Sequence, residues 1–227
     1  MKTPMRNIPI ILAGLALLAA APLTATPVTV QEVGIGANEI VTINSSTLGN
    51  NLAVYAGVVD LLVDGVPTQG FCIDPWHWSI SGPQSYDIRP LAGAPKAPGP
   101  MDAATALKIE QLWQQFYNPA VANWNAQAAG LQIAIWELVD ASVGSATFSL
   151  VSANDYNAGN MIAWVNSNPG APAANLAAVV SLTHDSAGKS IGQDYVIPNV
   201  PDGGSTAVML GLGLIGLGLV CRWARAA

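Results

Sequence analysis

Charge is scarce in this sequence: Asp, Glu, Lys and Arg make up 10% of 227 residues, against 51% hydrophobic. With a mean hydropathy of +0.39, the chain is too apolar for a disordered protein and too poor in charge for an ordinary cytosolic domain. Positive charge is rarest. Eight Lys and Arg face 14 Asp and Glu, a net of −6, which excludes a nucleic-acid partner because that partner needs a basic surface. Cysteine is nearly absent, at two per chain. No CxxC pair and no zinc-type Cys/His spacing occurs, so neither a metal nor another cofactor is expected. Internal repeats and long low-complexity tracts are missing too. The length leaves about 170 residues for one globular domain after its ends are set aside, and no room for a large multidomain enzyme.

Both ends read as targeting segments. Met1-Lys2-Thr3-Pro4-Met5-Arg6 precedes an uncharged run from Ile8 to Leu23, the pattern of a secretory signal peptide over residues 1–25. Cleavage is expected after Ala25, with Ala20 as a second candidate and a retained anchor as the alternative. At the other end, Val200, Pro201, Asp202, Gly203 and Gly204 lead into an uncharged stretch, Gly203 to Cys221, closed by Arg222 and Arg225. That stretch of 19 residues is just long enough to cross a bilayer as one transmembrane helix, and the basic end keeps to the cytoplasm. Residues 200–227 in this order resemble the tripartite tails that exosortases process, in particular the VPDSG-CTERM variant of the PEP-CTERM group. Gly203 stands where that variant has Ser. The resemblance implies exosortase and secretion machinery as partners, membrane anchoring through the span, then tail cleavage and transfer to the cell envelope, surface or extracellular matrix. A plain single-span anchor is the alternative.

The remaining segment, 26–199, is the extracellular domain. It holds four basic residues (Arg89, Lys96, Lys108 and Lys189) against 13 acidic ones, a net of −9. Such a surface does not attract anionic membranes or polyanions. Cys221 leaves with the tail, so Cys72 is the one thiol of the processed protein, and an unpaired thiol in a secreted protein asks for a purpose.

Val28–Val33 and Glu39–Ile43 read as short strands, β-branched and bounded by Gly and Asn. Val58–Val63 runs into Asp64-Gly65, a hairpin turn, and returns as Gln69–Asp74, with Cys72 near the strand's end. Asp102 caps a helix reaching Tyr117, with Ile109, Leu112, Trp113 and Phe116 on one face. A second helix spans about 125–141, a third starts near Asn154-Asp155, and Ala178–Thr183 and Tyr195–Pro198 close the domain as strands. The expected fold is α+β: β-sandwich-like antiparallel sheets with an inserted bundle of about three helices.

The second helix contains a misfit. Leu131, Ile135, Leu138 and Val139 gather on one face at ~100° per residue, and Gln132 falls inside that arc, while Glu137 points toward solvent. A buried amide without partners costs about 1–3 kcal/mol, so Gln132 needs either a hydrogen-bond partner or a chemical use. The plain account is a satisfied core glutamine and a small buried cysteine. The chemical account joins them: attack of the Cys72 sulfur on the Gln132 carboxamide carbon expels ammonia and leaves an internal thioester. A strand cysteine facing a helix glutamine holds the pair rigidly, and Trp76, Trp78 and Trp136 lie beside them in sequence to exclude water. His77, five residues past Cys72, is a candidate proton acceptor or an ordinary surface or loop histidine. Asp74 orients nearby groups or merely ends the strand.

Phe71-Cys72-Ile73-Asp74 and Leu131-Gln132-Ile133-Ala134-Ile135-Trp136-Glu137 resemble the Cys–Gln thioester domains of Gram-positive surface adhesins, with an aromatic-Cys segment and a Thr-Gln-x-Ala-Ile-Trp segment. Leu131 replaces the family threonine. Similar segments occur in exosortase-sorted proteins of Gram-negative bacteria. The resemblance implies single-use covalent adhesion: an amine on a surface or matrix partner opens the thioester, Cys72 leaves as thiol, and Gln132 becomes the linking amide. No turnover is involved, so an enzyme is not expected. Three other classes stand beside it: a hydrolase using Cys72 with His77 or His184, a non-covalent carbohydrate- or matrix-binding module with exposed tryptophans, and a self-assembling structural subunit.

Overall fold

The computed structural model describes residues 27–95, 97–144 and 147–199. The expected signal peptide, transmembrane helix and sorting motif lie outside them. Strands β1 (Val28–Ser45), β2 (Gly49–Val63), β3 (Val66–Cys72) and β4 (Gln84–Pro90) come first. Helices α1 (Ala103–Phe116) and α2 (Trp124–Val143), strand β5 (Phe148–Leu150) and helix α3 (Ala158–Ser167) follow. Strands β6 (Leu176–Ser181) and β7 (Tyr195–Pro198) finish the domain.

The strands form one antiparallel sheet in the order β2-β3-β7-β6-β4-β1-β5, and β1 also pairs with β2. These pairings close a ring of six strands, with β5 added at the far end of β1. A single closed sheet therefore stands in place of the expected sandwich of separate sheets. The closure is partial: β1 meets β4 only at Val28–Val30 and β2 meets β3 only at Val59–Val63, so the rest of the long β1–β2 hairpin is paired on one side, apart from the β5 contact at Ile43–Ser45. The α+β class and the three helices between the early and late strands are as expected.

The two short strands expected at the start are one. β1 runs through Gly34–Asn38 by shifting register against β2 between Glu32 and Gly34 and again between Ile35 and Asn38. Such bulges absorb extra residues without ending a strand. Opposite them Gly57 has φ +152°, and a Cβ there would strike the Ala37 carbonyl oxygen; only glycine fits. The Asp64-Gly65 turn joins β2 to β3 with positive φ at both residues, as a tight hairpin turn requires.

Asp102 caps α1 as its sequence position predicts, accepting from the Thr105 N–H at 2.7 Å. Trp113 on this helix meets Phe71 of β3 edge-on, at 5.2 Å between ring centres, which ties α1 to the strand carrying Cys72. Helix α2 departs from its expected single stripe. Every residue from Ala128 to Val139 except Glu137 is buried, because the helix lies between β1 and β2 on one side and α1 and α3 on the other. Glu137 is half-buried rather than solvent-facing, and burial raises its carboxyl above the usual range. Gly130 lets the backbone before α3 approach, since a Cβ would collide with the Tyr156 carbonyl oxygen. Among the described residues, no helix is long and apolar enough to cross a membrane.

Candidate functional site

Cys72 is the last residue of β3, and the partner strand β2 follows β3 only as far as Val59↔Gly70. On the other side, Cys72 stands opposite Tyr195 of β7, while the next residue, Ile73, donates its N–H to the Asp194 carbonyl at 3.0 Å. Antiparallel pairing alternates, so the Cys72 N–H and C=O turn away from β7, toward the place β2 has vacated. Gln132 of α2 fills that place. Its Oε1 accepts from the Cys72 N–H at 2.9 Å, and its Nε2 donates to the Cys72 carbonyl at 2.7 Å. The carboxamide acts as a one-residue strand.

Two residues 60 apart in sequence thus meet in the core, with Cys72 3% and Gln132 1% exposed. The hydrogen bonds satisfy the buried amide, as the plain account expects. They also hold the carboxamide carbon beside the residue that bears the thiol. The Cys72 sulfur accepts from the Asp74 N–H at 3.3 Å. Burial pushes the thiol far above its usual range and the Asp74 charge adds to this, while the Trp136 indole and the Asp74 N–H oppose it. The Trp136 indole N–H stays short of hydrogen-bond geometry and has no partner. These surroundings favour the thiol over the thiolate.

The loop after β3 turns on Asp74, whose Oδ1 accepts from the Trp76 N–H at 3.1 Å. The same carboxylate grips the His77 Nδ1, at 2.8 Å to Oδ2 and 3.0 Å to Oδ1. His77 is 8% exposed, so it is neither a surface nor a free loop histidine. The Asp74 bond raises its pKa and partial burial opposes the rise. Asp74 is itself raised, by burial first, against the pull of His77. Thr47, in the turn between β1 and β2, donates to the Trp76 carbonyl and pins this loop to the hairpin.

A cavity of about 270 Å³ opens beside the pair, and Cys72, Gln132, Trp136 and His77 contribute to its lining. Glu32 of β1 lines it as well, its Oε2 accepting from the Tyr195 hydroxyl at 3.0 Å. At the wall, Tyr55 and Trp78 are exposed, Trp78 by 53%. Trp76 and Trp136 are buried and Trp78 is not; Trp136 lines the cavity and Trp76 does not. His184 is not among the residues that line this cavity and forms an isolated bridge with Ser190. The sequence reading singled out Cys72, Gln132, Trp76, Trp136 and His77. It did not find Glu32 or the Asp74–His77 pair as a unit, although an Asp-x-x-His spacing after the strand was the available signal. Among the described residues no cluster of His, Cys, Asp and Glu could hold a metal ion.

The sequence matches the VPDSG-CTERM motif over residues 199–222. This sorting tail implies export and a surface- or membrane-associated location. No curated protein matches the chain. Among solved structures, the fold is similar to the thioester domain of the Staphylococcus aureus TIE protein, at 13% identity and a TM-score of 0.43 over 78% of this chain and 81% of that one.

Proposed function

We propose that this exported protein is sorted by an exosortase to the cell surface or matrix, and that its domain forms a Cys72–Gln132 thioester for covalent attachment to amine-bearing partners. The observation that carries this reading is the reciprocal hydrogen bonding of the Gln132 carboxamide with the Cys72 main chain, beside a cavity. When the sulfur attacks, charge develops on Gln132 Oε1, and the Cys72 N–H at 2.9 Å already points there; a preplaced donor of this kind stabilises the developing oxyanion. The S–C bond forms, the C–N bond breaks, and the thiol proton leaves on the ammonia. Because the thiol is held protonated by burial, proton transfer belongs to the attack itself. An incoming amine then forms an N–C bond, the C–S bond breaks, and Cys72 regains a proton. Each molecule acts once, as a reactive binder.

Intact mass of the exported chain, purified in detergent, tests this. The protein should weigh one ammonia less than its sequence, methylamine should add to it, and Cys72→Ala should abolish both effects. A full-mass protein with a titratable thiol would remove the thioester and favour non-covalent binding, for which the exposed Trp78 and Tyr55 at the cavity wall offer stacking surfaces.

A further inference from the structure

Of the titratable side chains that line this cavity, His77 holds a buried nitrogen with no partner. His77 Nδ1 is held by both oxygens of Asp74, which fixes Nδ1 as the protonated nitrogen and leaves the lone pair of the neutral ring on Nε2. That Nε2 is buried and has no hydrogen-bond partner, while the residue lines the same cavity as Cys72 and Gln132. A buried, unpaired acceptor costs free energy unless something comes to use it.

We propose that His77, oriented by Asp74, is the proton-transfer residue for the nucleophile that opens the acyl bond. This rests on the thioester reading and assigns its second step. The free amine enters the cavity and attacks the Gln132 acyl carbon as Nε2 takes an N–H proton. The C–S bond then breaks, and the departing Cys72 sulfur takes that proton back from Nε2–H. Amine plus thioester become amide plus thiol, and His77 ends as it began. The cavity, about 270 Å³, has room for the amine and for a bridging water, and proton transfer through one water is effective. Asp74 is a positioning residue. The other charged groups facing His77 are Asp194 and Lys189, with opposite effects on it, and Glu32 from β1 lines the same space.

The test uses the full chain in detergent and follows opening by mass. Hydroxylamine is the probe, since it is uncharged above neutral pH and its own ionisation does not mask the protein's. In the wild type the rate should rise with pH along a single titration and level off above the raised His77 value. His77→Gln, which keeps a donor for Asp74, should retain the ammonia deficit yet open at least about a hundredfold more slowly. Asp74→Asn should move the titration to lower pH. An ammonia deficit with unchanged opening in His77→Gln would overturn this role alone. No deficit in the wild type would overturn the thioester as well. If His77→Gln does not fold, a flat wild-type pH profile is the overturning result.

Discussion

Replacing Gln132 separates what its amide does for the fold from what it does in chemistry. The starting point is Cys72→Ala, which removes the sulfur and any acyl bond but keeps the main chain that Gln132 binds. Adding Gln132→Ala then strips both partners from the Cys72-position N–H and C=O, bonded at 2.9 and 2.7 Å. No strand can replace them, because β2 has already left β3 at Gly70. Two buried unpaired groups cost about 1–3 kcal/mol each, so the loss should be about 2–6 kcal/mol, plus a cavity contribution. Gln132→Met in the same background fills most of the volume and isolates the hydrogen-bond part. Urea unfolding followed by tryptophan fluorescence gives the difference, with an unchanged m-value showing that the native fold is kept. A double variant within about 1 kcal/mol of Cys72→Ala would refute the argument that the carboxamide completes the ladder.

Two further outcomes follow from the geometry. Gly130→Ala should lower stability by about 1–3 kcal/mol, read as a fall in the thermal midpoint, because its Cβ meets the Tyr156 carbonyl and lies 3.2 Å from the Met161 terminal methyl. Stability should also decline as pH rises from about 6.5, the unfolded His77 value: the folded value is higher, so the contribution is whole below the former and is lost through the latter. Urea midpoints across pH should show this slope in the wild type and a flatter one in Asp74→Asn.

Local chemistry was readable where one residue type dictates one geometry. Asp64-Gly65 specified its turn, Asp102 its cap, and Tyr195–Pro198 its strand. Gln132 stood out because an amide among Leu131, Ile135 and Val139 conflicts with burial unless something binds it. Other features depend on distant partners. β1 continues past its glycines only because it bulges against an uninterrupted β2, where Gly57 leaves the space. β4 alternates with charged residues, and β5 has three residues; neither carries enough apolar pattern to declare itself. The full burial of α2 follows from a closed sheet on one side and two helices on the other, which no periodicity within the helix encodes. Asp74 and His77 were each visible, but their shared task depends on a loop folded back against the β1–β2 turn.

The place where the chain leaves the domain has a mechanical consequence. β7 ends at Pro198, next to residue 199 where the matched motif begins. Traction on the tethered end would be borne first by β7, and then by β3 through Phe71↔Val196 and Cys72↔Tyr195. β6 shares that load through its own four pairs with β7, from Leu176↔Pro198 to Val179↔Tyr195, so shear along the two neighbours of one short strand would set the force at which the end pulls free.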